Sequence, residues 1–274
     1  MKKTLLSMAI AASFGLLSAS ASAVVFSDFV VDRNYDSVIN DGSIFTADKI
    51  IGNYVEAIVF TPATATTGSF DVKLRWEGSS YVANDGTTPL GGFTTGLQSS
   101  YQLYALYAAS GTYSTSGAVT TFTPTAGTGF LELWLDPAAG ITTFDFSGNA
   151  INYSNIFQLS GGGDDNKVAD GVVLAGGGTL DPTLSTCVGG INCGSFGNTT
   201  SFALTAFGSK YFIDPVPFYN LSFQSGQLNN FAVSGEQQIN GSMDVVFGKV
   251  PEPASLALVG LGLVGLGMSR RRKV

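Results

Sequence analysis

Phe70-Asp71-Val72-Lys73-Leu74-Arg75-Trp76-Glu77 decides the fold class. Phe70, Val72, Leu74 and Trp76 fall on one side of an extended chain. Asp71, Lys73, Arg75 and Glu77 fall on the other, because successive side chains of a strand point to opposite faces. A segment of this kind is a half-buried antiparallel strand, one face apolar and one solvated. The same period recurs. Leu131, Leu133 and Leu135 alternate with Glu132, Trp134 and Asp136, and Tyr219, Leu221 and Phe223 alternate with Asn220, Ser222 and Gln224. Met243, Val245 and Phe247 share a third such face.

Further strands are expected near residues 55–60, 101–108, 141–147, 172–175, 201–207 and 210–214. Between them stand Asn84-Asp85-Gly86, Thr123-Pro124-Thr125-Ala126-Gly127, Ser160-Gly161-Gly162-Gly163 and Gly176-Gly177-Gly178. These supply the positive-φ and breaker positions of turns, and the last is read as a flexible loop. No long 3.6-residue period and no fixed repeat occurs between residues 24 and 249. The expected fold is all-β, an antiparallel β-sandwich or jelly-roll-like body.

Composition narrows the function classes. Without residues 1–23 and the residues after Val250, seven basic residues face nineteen acidic ones, a net charge of −12. Such a surface repels nucleic acid and anionic lipid, so no nucleic-acid partner is expected. Aliphatic and aromatic residues remain plentiful, unlike in a disordered chain.

Histidine is absent. That excludes Ser-His-Asp and Cys-His catalysis and every His-ligated metal centre. No Walker loop is present, and Gly176-Gly177-Gly178 lacks the lysine that phosphate binding requires. A pair of carboxylates would suffice for a glycosidase, with Glu56, Glu77, Glu132, Asp136 and Asp145 available, but spacing singles out no two of them. Asp164-Asp165-Asn166 with Asp170 is the best place for a cation, although its spacing is not that of an EF-hand loop. No catalytic, cofactor-binding or metal residue is therefore assigned, no cofactor is expected, and the chain is not expected to be an enzyme. Trp76, Trp134, Tyr101, Tyr104 and Tyr107 could stack on sugar rings or pack in the core.

The two cysteines, Cys187 and Cys193, lie in Cys-Val-Gly-Gly-Ile-Asn-Cys. In an oxidising compartment a disulfide between them is expected, worth ~2 kcal/mol for so short a loop.

The ends carry targeting signals. Lys2 and Lys3 precede an apolar run from Leu5 to Leu17, and small residues follow, ending in Ala21-Ser22-Ala23. This is the order of a secretory signal peptide, residues 1–23, cut between Ala23 and Val24 by signal peptidase after Sec export. At the other end, residues 250–274 contain Pro251-Glu252-Pro253, an apolar run from Ala254 to Met268, and the cations Arg270, Arg271, Arg272 and Lys273. A helix of fifteen residues reaches ~22 Å, short of a bilayer core of roughly 30 Å. Gly260, Gly262, Gly265 and Gly267 weaken it further. The segment suits a transient inner-membrane insertion, with the cations stopping transfer on the cytoplasmic side. The prolines keep the preceding motif extended and free of donated backbone bonds.

This tail resembles the PEP-CTERM sorting domain. The resemblance implies recognition by exosortase in a Gram-negative bacterium that makes exopolysaccharide. Phe45-Thr46-Ala47-Asp48-Lys49-Ile50, Gly52-Asn53-Tyr54, Tyr104-Ala105-Leu106-Tyr107, Pro217-Phe218-Tyr219 and Ser234 to Ser242 are similar, in order and spacing, to flocculation-associated PEP-CTERM proteins. That likeness implies a structural protein of the cell surface or extracellular matrix, involved in flocculation or biofilm formation. Its partners would be exopolysaccharide or neighbouring cell-surface proteins. A carbohydrate-binding module with a defined sugar specificity is the alternative, and a polysaccharide-processing enzyme the third reading. The β-rich extracellular domain is placed at residues 24–249.

Overall fold

The computed structural model describes residues 26–36, 38, 41–137, 142–144 and 150–248. The signal-peptide positions, including Ala21, Ala23 and Val24, lie outside the described residues, as do Pro251, Glu252, Pro253, the apolar run, Arg270, Arg271, Arg272 and Lys273.

β1 (Phe29–Asp32) and β2 (Ile44–Ala47) pair antiparallel. β3 (Lys49–Pro62) and β4 (Thr67–Val82) then form a long hairpin, with β5 (Pro89–Leu90) returning on the end of β4. After the single turn α1 (Gly92–Thr95), β6 (Tyr101–Ser116) runs beside β4. The other side of β6 is shared. Its second half takes β7 (Val119–Pro124) and its first half β8 (Phe130–Pro137).

The two-residue strands β9 (Thr143–Phe144) and β10 (Leu159–Ser160) pair with each other. β11 (Asn166–Gly171) then follows β8, and β12 (Val173–Leu180) follows β7. β13 (Gly194–Thr200) pairs with β12, and β14 (Ala203–Leu204) with β11. α2 (Gly208–Tyr211) leads into β15 (Phe212–Asp214), which joins β1. β16 (Asn220–Ser225) pairs with β13, and β17 (Gly235–Gly248) pairs with β16 and then along β3.

With β7–β8, β11–β12 and β13–β14 each acting as one interrupted stave, this is an up-and-down barrel of eight antiparallel staves. The expectation of a sandwich or jelly roll is corrected here. The period-two pattern is common to both folds; the β17–β3 ladder closes the sheet on itself and removes the edges that a sandwich leaves open.

The inner face is apolar. Phe70, Val72, Leu74 and Trp76 of β4 are all buried within it, as are Leu131, Leu133 and Leu135 of β8. The opposite face of β4 carries Asp71, Lys73, Arg75 and Glu77. An apolar interior with a charged exterior is the reverse of a membrane-spanning barrel.

One close approach fixes this interior. Trp76 lies across β3 and donates from Nε1 to the carbonyl of Met243 at 3.1 Å on β17. Gly52 makes that possible, since a Cβ there would stand 2.5 Å from the indole and 2.3 Å from the Glu77 carbonyl.

Both ends are filled. At one, the β15-β1-β2 sheet packs Phe29 and Phe212 against Phe247, with centroids 4.8 and 5.5 Å from it. The hydroxyls of Tyr81, Tyr211 and Tyr101 form a buried chain there, 2.6 and 2.7 Å long. At the other end, the segment between β16 and β17 places Phe231 against Phe60 and Phe122, each at 6.0 Å.

Gly176-Gly177-Gly178 also departs from its sequence reading. It lies inside β12, paired with Asn198, Gly197 and Phe196 of β13, and is no loop. A Cβ on Gly176 would come within 1.8 Å of the Asn198 Oδ1, so the wall needs glycine at that point. The expected strand at 201–207 shrinks to β14, and that at 210–214 begins as α2. The expected 141–147 strand shows only β9 among the described residues.

Candidate functional site

Among the described residues, two places bring chemistry-bearing side chains together. The first is the barrel interior. Alternation along β3 sends Tyr54, Glu56, Ile58 and Phe60 inward, and Glu56 is the one acid among them. Burial alone sets its acidity and pushes its pKa up to about 8. It borders a cavity of about 60 Å³, together with Ile58, Phe122, Asn198, Phe223 and Phe231. Asn198 donates from Nδ2 to the Tyr107 hydroxyl in the same region. That volume suits one or a few waters. It is far below the roughly 300 to 1,000 Å³ of a cofactor or drug-sized pocket.

The second lies on the outer wall, where β8 meets β11. β11 pairs Asn166 with Leu135, which sets the residues just before it beside the end of β8. Asp136, Asp164 and Asp165 converge there, with one oxygen from each within 4.8 Å of the others. Asp136 is only 1% exposed. Its Oδ2 accepts from the Thr142 backbone N–H at 2.7 Å, while its Oδ1 has no hydrogen-bond partner. Burial raises its pKa, and the carboxylates of Asp165 and Asp164 add to that rise. Asp165 accepts from the Tyr104 hydroxyl and, at 2.9 Å, from the Thr142 Oγ1.

The wall beside this cluster meets Phe144 and Tyr153, which lie between β8 and β11. Lys73 donates to the Tyr153 carbonyl at 3.0 Å and lies 4.4 Å from that ring. Arg75 stands 4.1 Å from the Phe144 ring.

The acids considered from sequence thus separate. Glu56 is interior, whereas Glu77 is outside with Arg75 at 3.1 Å. Glu132 binds Lys167 at 2.7 Å. Asp145 lies outside the described residues. The grouping of Asp164, Asp165 and Asn166 with Asp170 is corrected, since Asp170 turns away to Lys167 at 2.9 Å and Asp136 takes its place in the cluster. Asp136 is 28 positions before Asp164, and only the β8–β11 ladder shows that they meet.

The five aromatic residues singled out in the sequence form no open platform. Trp76, Tyr101, Tyr104 and Tyr107 are buried. Half-buried Trp134 stacks beside Tyr104 and carries Lys167 over its ring at 5.0 Å. Cys187 and Cys193 form the expected disulfide, with Cα atoms 4.4 Å apart.

The fold and these sites define a closed all-β barrel with a packed interior and an acidic outer cluster. Residues 249–273 match the PEP-CTERM protein-sorting motif. That motif implies an exported protein, sorted to the cell surface and processed by exosortase. No curated protein and no solved structure matches the chain.

Proposed function

We propose that the barrel is a structural protein of the cell surface or extracellular matrix, supporting flocculation or biofilm formation together with exopolysaccharide. The observation that carries this reading is the sorting motif at residues 249–273, which begins directly after the closing strand ends at Gly248. With no linker of its own between barrel and tail, the body is presented as a compact unit at the surface to which the tail delivers it.

Two features support the reading. A closed sheet leaves its long staves without free edges, which suits a protein crowded among copies of itself and other chains. Three of its few cations, Lys49, Arg75 and Lys167, are each matched to a neighbouring carboxylate, which leaves the outer surface strongly acidic. Such a surface stays soluble and interacts with polymer through polar groups and shared counter-ions.

Deletion of the gene tests this. Cells lacking the protein are expected to disperse while secreting normal amounts of exopolysaccharide, and re-expression of the full chain restores flocs. Unaltered flocs and biofilm in the deletion strain would refute the role.

A further inference from the structure

We infer that Asp136, Asp164 and Asp165 form a calcium site that ties the residues leading into β11 to the end of β8. An acidic cluster alone would not justify this. The Asp136 Oδ1 supplies a second, independent observation: it has no hydrogen-bond partner, on a residue only 1% exposed. A buried carboxylate oxygen without a donor is costly, and an uncompensated buried charge more so. Here two further carboxylates stand close to it and repel its charge, with one oxygen from each of the three within 4.8 Å of the others. A cation at their centre removes all three penalties at once.

The chemistry fits a hard ion. All the available donors are oxygens, and calcium takes six to eight oxygens at roughly 2.3–2.6 Å. Two oxygens on one calcium can therefore stand up to about 5.2 Å apart, and the three carboxylate atoms lie within 4.8 Å of one another. Asp164 is exposed and Asp165 half-buried, so water can complete the shell and the ion has a way in. Thr142 and Tyr104 hold Asp165 in place by hydrogen bonds, as partners of metal-ligating carboxylates commonly do. Lys167, two positions after Asp165, is engaged by Glu132 and Asp170.

The site is structural, and it stands whether or not the protein acts in flocculation. The test uses the mature protein, purified after export by its host, with calcium chloride, magnesium chloride or chelator as the sole variable. Calcium at ten times its Kd is expected to raise Tm by roughly 3 °C over chelator, with a smaller rise from magnesium. Terbium is expected to bind in calcium's place and to emit on excitation of Trp134 and Tyr104, and calcium is expected to quench that emission by competition. Asp164→Asn, at an exposed position, should weaken terbium binding at least tenfold without unfolding the barrel. Asp136→Asn should abolish binding, and Asp170→Asn should leave it unchanged. Equal Tm values in calcium and chelator without terbium emission, or an effect of Asp170→Asn as large as that of Asp164→Asn, would overturn the assignment.

Discussion

Glu56 shows what one residue imposes on a packed barrel. Its inward direction follows from strict alternation with Tyr54 and Ile58 on β3, so the backbone cannot turn it to solvent without reversing the whole face. Its pKa rises through desolvation to about 8, whereas in the unfolded chain it is an ordinary carboxyl near 4.5. Below pH 4.5 both states hold the proton and the group costs nothing through ionisation. Between 4.5 and 8 the unfolded chain has released its proton while the barrel retains it, so stability falls as pH rises. The loss is on the order of 4 kcal/mol by pH 8 and does not grow beyond it. Glu56→Gln keeps the size and neutrality of the protonated acid. Its stability advantage over the parent is expected to be near zero at pH 4, to grow through neutrality, and to level off above pH 8. Urea melts at pH 4, 7 and 9 measure this directly. A pH-independent difference would show that the carboxyl ionises freely in the folded barrel.

At the scale of elements, the disulfide loop and the β16–β17 segment behave as one clasp. Cys193 donates its backbone N–H to Leu228 at 2.7 Å, Leu228 donates back to Gly194 at 3.0 Å, and Asn230 donates to Gly190 at 2.7 Å. The same segment carries Phe231, which fills the barrel mouth beside Phe60 and Phe122. Removing the bridge by Cys187→Ser with Cys193→Ser is expected to cost about 2 kcal/mol. Amide exchange should quicken around Leu228 and Phe231 and stay slow in β3, β4 and β6. Uniformly faster exchange would contradict a local clasp.

The elements also show what the sequence could disclose. The β4 alternation, the Leu131–Leu133–Leu135 face and the Met243–Val245–Phe247 face all appear in the structure, because each is decided by residues two apart. Closure was not visible, because it depends on Val245 facing Ile50, almost two hundred positions away. Gly176-Gly177-Gly178 read as a loop for a related reason. Glycine lowers strand preference locally, and here pairing on both sides of β12 and the space demanded by Asn198 outweigh that preference. The acidic cluster was half legible. Asp164 and Asp165 are adjacent in sequence, but the exchange of Asp170 for Asp136 is a matter of strand register.

For the whole molecule, the decisive joint is the β17–β3 ladder, which runs from Gly235 opposite Phe60 to Val246 opposite Lys49. β17 is also the partner of β16, so its loss opens the barrel on two sides and exposes the Ile239, Met243 and Phe247 positions of the core. The sorting motif begins only after this strand has ended, which makes delivery and folding separable. A chain of residues 24–248 is therefore expected to melt cooperatively and to retain near-UV dichroism from its buried aromatic residues. A chain of residues 24–234, only fourteen residues shorter, should lose both and bind hydrophobic dyes. The contrast is steep because barrel closure is cooperative. Without β17, the fourteen-residue β3 and the shorter β16 both become open edges, and neither can find a substitute within the same chain. Native-like melting of the shorter chain would mean that the remaining staves close by themselves, and that β17 seals the barrel without being required to form it.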